Sequence, residues 1–75
     1  MSQGFEFVTG CFACVSLESN YFRVMLRGNL PDNAPAAVDA DNIGSILKVV
    51  SKSIPMTSLQ WEEFADFLKS KGMQY

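Results

Sequence analysis

The most regular pattern in the chain is an alternation of apolar residues with polar or small ones on both sides of residues 18–20. A period of two is typical of β-strands that bury one face. The alternating apolar positions are Phe5, Phe7, Cys11, Ala13, Val15 and Leu17 before the turn, and Phe22, Val24 and Leu26 after it. We therefore predict an antiparallel β-hairpin. Gly10 is the natural point for the first stretch to bend or to divide, which would add a third strand.

The register of this hairpin follows from a two-residue turn at Ser19 and Asn20. Such a turn places Leu17 opposite Phe22 and, at the far end, Phe12 opposite Arg27. The apolar residues of both strands then share one face. A slip of one residue would move polar side chains into that face, so the pattern itself selects the register.

Two amphipathic stretches after the hairpin predict helices. Asp39 offers an N-cap, and Asp41 would place a negative charge in the first turn. The apolar stripe is formed by Ile43, Ile46, Leu47 and Val50. Gly44 and Val49 are poor helix formers, so a strand over residues 46–56 is the alternative. Between the hairpin and this helix, residues 28–37 contain two prolines and predict a surface connection.

The second helix has clear start and stop signals. Thr57 and Gln60 have the spacing of a capping box, and Gly72 is suited to the position after the helix. Its apolar stripe is formed by Trp61, Phe64, Ala65 and Leu68, with Phe67 on the flank. The predicted fold is α+β in the order ββαα, a hairpin packed on two C-terminal helices, with residues 1–75 as a single domain.

A domain of 75 residues has a thin core and buries only about 60% of its unfolded surface. The chain has no histidine, and Cys11 and Cys14 are its two cysteines, so it lacks the four ligands of a structural zinc site. Their spacing matches a thiol redox motif, but on a strand the two side chains point to opposite faces. We expect one buried and one half-exposed cysteine without a disulfide. Association with a partner is then the expected support for the fold.

Charge and composition restrict the location and the chemistry. The net charge is −2 and the pI is about 4.8, so no global positive field attracts nucleic acid or anionic membranes. Residues 1–3 carry no positive charge, and the apolar run over residues 7–17 is shorter than the ~20 residues of a membrane span. With two cysteines and no disulfide framework, these features favour a cytoplasmic protein that does not enter a membrane.

Catalysis is not expected. Without histidine, acid and base chemistry would fall to carboxylates, and most of these are explained by helix starts or turns. No phosphate-binding glycine loop, nucleophile motif or metal-ligand spacing is present. We predict no enzyme activity, no cofactor and no metal.

The hairpin face that does not fold against the helices is too apolar for an ordinary solvated sheet. The residues that we predict to bind a partner there are Phe12, Tyr21, Arg23, Met25 and Arg27. Aromatic residues, Met and Arg are enriched in protein interfaces. The leading hypothesis is a small non-catalytic protein-binding module that docks this face on another protein or on a second copy in a homodimer. Its size and charge are typical of phage or mobile-element accessory proteins that inhibit or modulate a host protein. Coverage of the face by the chain's own N-terminal strand or a loop is the structural alternative.

The alternative function is single-stranded nucleic-acid binding, because aromatic and arginine side chains on a sheet can stack bases and hold phosphates. A second observation is the sequence Ser-Ile-Pro-Met-Thr-Ser-Leu-Gln-Trp at residues 53–61. It resembles the strand-to-helix junction of the transcriptional positive-cofactor family of single-stranded DNA-binding proteins. The resemblance covers about a dozen residues and would imply a strand that runs into the second helix.

Overall fold

The computed structural model describes residues 4–75, which form a four-stranded antiparallel sheet followed by two helices. The strands are β1 (Phe5–Glu6), β2 (Cys11–Leu17), β3 (Phe22–Gly28) and β4 (Ala37–Ala40), and the helices are α1 (Ile43–Ser53) and α2 (Ser58–Ser70). The order of strands in the sheet is the order in the chain. The α+β class and the succession of strands before helices are as predicted.

The central hairpin has the predicted register. Leu17 pairs with Phe22 and Phe12 pairs with Arg27 across β2 and β3, and Cys11 opposite Gly28 extends the ladder by one pair. The backbone N–H of Glu18 donates to the carbonyl of Tyr21 at 2.8 Å and closes the turn. The apolar alternation was therefore sufficient to define which side chains share a face.

Gly10 divides the first stretch, and the third strand exists. Gly10 has a φ of 96°, a left-handed conformation that glycine adopts without strain. The N–H of Gly10 donates to the carbonyl of Phe7 at 3.1 Å, and the N–H of Phe7 donates to the carbonyl of Cys11 at 2.8 Å. This tight reversal lays β1 against the outer edge of β2, with Phe5 opposite Ala13.

The fourth strand was not predicted. Residues 29–36 form the expected connection, but Ala37–Ala40 pairs with β3, with Val38 opposite Val24. Asp39 therefore lies in a strand, and its prediction as an N-cap is wrong. Asn42 caps α1 instead, because its side chain accepts a hydrogen bond from the N–H of Ser45 at 2.8 Å. Asp41 precedes this cap and is not in the first turn of the helix.

The segment over residues 43–53 is a helix, so the strand alternative for residues 46–56 is wrong. Ile43, Ile46 and Val50 are buried along one stripe of α1, as the helical period requires. Ser53 ends this helix, and residues 54–56 have no strand structure. The junction before α2 is therefore a connection between two helices. The strand that the resemblance to the positive-cofactor family implied at this junction is absent from residues 54–56.

Helix α2 begins and ends as predicted, with one change in its cap. Thr57 is the N-cap and accepts from the N–H of Gln60 at 3.2 Å, and Gly72 follows the helix with a φ of 100°. The side chain of Gln60 does not complete a capping box. Its Oε1 accepts from the backbone N–H of Val8 at 3.1 Å, which ties the β1–β2 turn to the helix.

One apolar core lies between the sheet and the two helices. The buried residues are Phe7, Cys11, Ala13, Val24, Leu26 and Val38 from the sheet side, and Ile43, Ile46, Val50, Ile54, Phe64, Ala65, Leu68 and Met73 from the helical side. Leu17, predicted on the buried face, is 71% exposed. It has the correct orientation, but it lies at the end of β2 next to the turn.

Four phenylalanines join β1 to α2. Phe5 lies 5.2 Å from Phe64 and 5.6 Å from Phe67 between ring centroids, and Phe7 lies 5.0 Å from Phe64. These are the spacings at which aromatic rings attract each other in tilted and edge-to-face arrangements. A strand of two residues is thereby held by its side chains as well as by its backbone pairing.

Two leucines of α2 provide a matched test of the core. Leu68 is fully buried and Leu59 is 64% exposed. We expect Leu68→Ala to lower the free energy of unfolding by about 2–5 kcal/mol, because it leaves a cavity in a thin core. Leu59→Ala should change it by less than about 0.5 kcal/mol. Urea denaturation followed by circular dichroism measures both, and equal losses would contradict the described packing of α2.

A second pair of variants tests the close approach of two turns. A Cβ atom on Gly28, whose φ is 96°, would lie 2.9 Å from the carbonyl oxygen of Gly10. Gly28→Ala should therefore destabilise the protein. Gly44 lies in α1, where a Cβ has room, with its nearest neighbour at 3.5 Å. Gly44→Ala should raise the free energy of unfolding by about 0.5–1 kcal/mol, because it removes a flexible residue from a helix. Thermal denaturation should give shifts of opposite sign.

Candidate protein-binding face

The side of the sheet that faces away from the helices carries the predicted site. We call it the outer face. It is formed by Glu6, Phe12, Cys14, Ser16, Arg23, Met25, Arg27, Ala37 and Asp39. Burial alternates along β3, where Val24 and Leu26 are buried while Met25 and Arg27 are exposed. The strands therefore separate the core from the outer face residue by residue.

Three rows of side chains cross the outer face at right angles to the strands. The register gives the first row as Glu6, Phe12 and Arg27, the second as Cys14, Met25 and Ala37, and the third as Ser16, Arg23 and Asp39. Directly opposed residues in antiparallel strands have their Cβ atoms about 5 Å apart, so each row is a set of neighbours. The outer face thus has an apolar middle row between two rows that each carry an arginine.

Arg23 is held in place by two neighbours. Its Nε donates to Asp39 Oδ1 at 2.8 Å, and its second guanidinium nitrogen donates to Asp39 Oδ2 at 3.2 Å. The same nitrogen also donates to the hydroxyl of Tyr21 at 3.2 Å, and the guanidinium carbon lies 5.8 Å from the centre of the Tyr21 ring. A two-pronged arginine–carboxylate contact fixes the side chain in one orientation. Arg23 is therefore part of a preformed structure at one end of the outer face.

The ion pair shifts the pKa of both partners. The hydrogen bond from Arg23 is the main cause that lowers the pKa of Asp39; desolvation opposes it, and the positive charge of Arg23 adds a smaller lowering effect. The hydrogen bond and the charge of Asp39 raise the pKa of Arg23 further above its already high value. Both groups are therefore charged at neutral pH, and their charges compensate each other at the surface.

Arg27 is the cation of the outer face that is available to a partner. Within residues 4–75 its side chain makes no ion pair, hydrogen bond or aromatic contact like those of Arg23. It lies next to Phe12 in the first row. An exposed guanidinium beside an exposed ring is a common composition of binding surfaces, because both groups stack on flat partners.

The centre of the outer face is apolar and open. Phe12 and Met25 are each 37% exposed, and Cys14 is half-buried between them and the neighbouring strands. Cys11 is fully buried, so the predicted division into one buried and one half-exposed thiol is correct. Among residues 4–75 no loop covers this face, because β1 lies beside β2 in the sheet and does not cross it.

The structure brings the five predicted site residues onto one surface. Four of them lie within the three rows: Phe12, Arg23, Met25 and Arg27. Tyr21 lies just beyond the third row, at the turn, where its hydroxyl accepts a hydrogen bond from Arg23. Asp39 was missed because its sequence signal was assigned to a helix start. The alternation of Val38 with its polar neighbour Asp39 and the small residues 37 and 40 was the only signal of a strand, and it is four residues long.

Other surfaces of the described chain are less suitable as a site. A cavity of about 260 Å³ lies between the β3–β4 connection and the α1–α2 connection. It is lined by Thr9, Asn29, Leu30, Pro31, Ser53, Ile54 and Pro55. Ligand pockets usually measure about 300–1,000 Å³. Residues 4–75 contain no group of three potential metal ligands, and no helix in that range could cross a bilayer.

Comparison with protein-family models, with curated proteins and with solved structures yields no match to this chain. The function is therefore inferred from the geometry and chemistry of the outer face.

The ion pair at this face gives a prediction that titration can test. Arg23→Gln removes the donor, so the pKa of Asp39 should rise towards the ordinary aspartate value of about 4. In the wild type the folded pKa of Asp39 lies below its unfolded value, so the pair stabilises the fold above about pH 4 and this stabilisation is lost as the pH falls through the folded pKa. Carbon-detected NMR of the Asp39 carboxyl measures the shift. Arg27→Gln, which removes an arginine that makes no ion pair within residues 4–75, serves as the control and should leave the pKa of Asp39 unchanged.

Proposed function

We propose that this chain is a small non-catalytic module that binds protein through its outer face. The observation that carries the proposal is the open apolar row of Cys14 and Met25, flanked by Phe12 and by two arginines on a rigid sheet. An apolar centre with aromatic, Met and Arg residues and no lysine has the composition of an interface core. Side chains that are already held by the strands lose little freedom on binding.

The preformed Arg23–Asp39 pair supports this function at the rim of the face. Because its two charges compensate each other, a partner can cover the pair without burying an uncompensated charge. Arg27, in the row at the opposite end of the face, is the single cation among the outer-face residues that is not in an ion pair. It favours an aromatic ring or a carboxylate on the partner at that position.

The alternative function, single-stranded nucleic-acid binding, has less support. Such binding needs several cations along a track of aromatic rings, and its affinity grows with the number of phosphates contacted. Arg23 is engaged by Asp39, which leaves Arg27 as the available cation of the predicted set. Glu6 and Asp39 add negative charge to the same face. These features favour a protein over a polyanion.

The narrower part of the hypothesis concerns the biological role. We propose that the module acts as an accessory protein that inhibits or modulates a larger protein of its cell by covering part of its surface. A steric mechanism requires a shaped patch and no catalytic group. Phage and mobile-element proteins of this size and charge are the class for which this mode of action is typical.

The function is tested by comparing how much partner protein each of three immobilised proteins captures from a lysate of the source cell. Immobilised wild type is compared with Met25→Glu on the outer face and with Leu59→Glu on α2, both of which place a charge on an exposed apolar site. We expect Met25→Glu to reduce capture of the partner at least about tenfold, because a carboxylate would be desolvated at the interface centre. Leu59→Glu should leave it unchanged.

Cys14 provides a second measurement on the same sample, because Cys11 is buried and does not compete for reagents. Partner binding should slow the reaction of Cys14 with a maleimide. Equal capture by all three proteins with no protection of Cys14 would place the binding site elsewhere. Binding of a fluorescent single-stranded oligonucleotide at low salt, lost in Arg27→Glu, would replace the protein hypothesis by the nucleic-acid alternative.

A further inference from the structure

We infer that the occupant of the outer face is a second copy of this chain, related by a twofold axis that runs parallel to the strands midway between β2 and β3. This inference rests on the proposed function, since it uses the same surface, and the dimer would have to dissociate before that surface binds a larger protein. It follows from the order of side chains in the three rows.

A twofold axis in this position makes each row face itself in reverse order. Phe12 of one copy then lies over Arg27 of the second copy, and Arg27 lies over Phe12, because these two residues are paired across β2 and β3. An isologous interface repeats every contact twice in this manner. Two cation–π contacts between an exposed arginine and an exposed ring therefore form at one end of the interface.

The other two rows are equally compatible. In the middle row Cys14 lies over Met25 of the second copy, which brings together four apolar side chains at the centre. In the third row Ser16 lies over Arg23, whose charge is already compensated by Asp39. No row places like charges over each other. The face is thus complementary to itself in charge and in polarity.

The competing aligned arrangement lacks the contacts between arginine and ring. A twofold axis in the plane of the interface and perpendicular to the strands, through the middle row, would place the first row over the third row of the second copy. Arg27 would then lie over Arg23, whose guanidinium is bound to Asp39, and Phe12 would lie over Ser16. Neither arginine would lie over Phe12 of the second copy, so both cation–π contacts would be absent. The order of side chains in the rows therefore favours the axis parallel to the strands.

The area of the face predicts the strength of the association. The four strands have two, seven, seven and four residues, so at about 3.3 Å per residue and 4.8 Å between strands the outer face measures roughly 320 Å², and two copies bury on the order of 600 Å² in total. Stable interfaces usually bury about 1,200–2,000 Å². The dimer should therefore be in equilibrium with the monomer, and its population should depend on concentration.

The geometry also predicts how Cys14 behaves. Stacked sheets lie about 10 Å apart, and the two Cys14 residues are displaced sideways by about one strand spacing, so their Cα atoms should be roughly 11 Å apart. A disulfide needs about 4.4–6.8 Å and cannot form in the dimer. In the dimer each Cys14 lies under the second copy, so its reaction with a maleimide should slow as the protein concentration rises, and the buried Cys11 does not compete.

The decisive experiment exchanges the two residues of the first row. Phe12→Arg alone places an arginine over Arg27 of the second copy on both sides of the twofold axis, and should raise the dimer dissociation constant roughly 100-fold. Adding Arg27→Phe to Phe12→Arg restores an arginine over a ring in both contacts, and should recover the wild-type dissociation constant within about tenfold. Sedimentation equilibrium from micromolar to millimolar protein measures all three, and circular dichroism confirms that each variant is folded.

The outcomes separate this inference from the proposed function. Rescue by the exchange, together with a slower maleimide reaction of wild-type Cys14 at higher protein concentration, would support the twofold dimer. A wild type that remains monomeric at about millimolar concentration would overturn it. Dimerisation that the exchange does not rescue would overturn the proposed axis. If the monomer still captures a different protein through a Met25-dependent contact, the proposed function stands and the inference alone fails.

Discussion

The pairing of β2 with β3 is the constraint on which the rest of the structure depends. Seven residue pairs fix which side chains face the helices and which face outward. The buried set, including Ala13, Val24 and Leu26, supplies the floor of the core. The other set supplies the rows of the outer face. A shift of one residue would exchange the two faces, so the core and the proposed binding surface are specified by the same ladder of hydrogen bonds.

The two ends of this ladder are stabilised in different ways. At one end Gly28 lies so close to the turn at Gly10 that a side chain there would meet a backbone carbonyl. At the other end the third row is fixed by Arg23 and Asp39, which join β3 to β4 across the outer face. Exposed ion pairs contribute little to stability. The value of this pair is to orient its arginine and to neutralise its charge at a surface that we propose is covered by a partner.

The parts of the fold that the sequence predicts are those with repeated signals. The hairpin register and the stripe of α1 each use several apolar positions, and Thr57 and Gly72 mark both ends of α2 by their local chemistry. The alternation in the hairpin also placed the five predicted site residues on one face, because side chains that do not point into the core lie on the opposite side of the sheet.

The failures have a common physical cause. β4 has four residues, too few for a period of two to be distinguished from a cap followed by a helix. Asp39 satisfies both interpretations locally, and only its contact with Arg23, 16 residues earlier, decides between them. Gln60 illustrates the same limit. Its spacing from Thr57 predicts a capping box at the helix start, but its side chain accepts a hydrogen bond from the backbone N–H of Val8 instead. A pattern over a few residues carries no information about contacts with residues that are distant in the sequence.

The agreement between strand order and chain order has a kinetic consequence. Each strand pairs with its neighbour in sequence, so most of the sheet can assemble through the closure of short loops, which costs little entropy. The packing of the sheet on the helices is not local in sequence; Val8 and Gln60, for example, are 52 residues apart. A topology rich in local contacts is typical of fast folding. We therefore expect β2, β3 and β4 to assemble early, with the phenylalanines of β1 joining α2 in the step that completes the core.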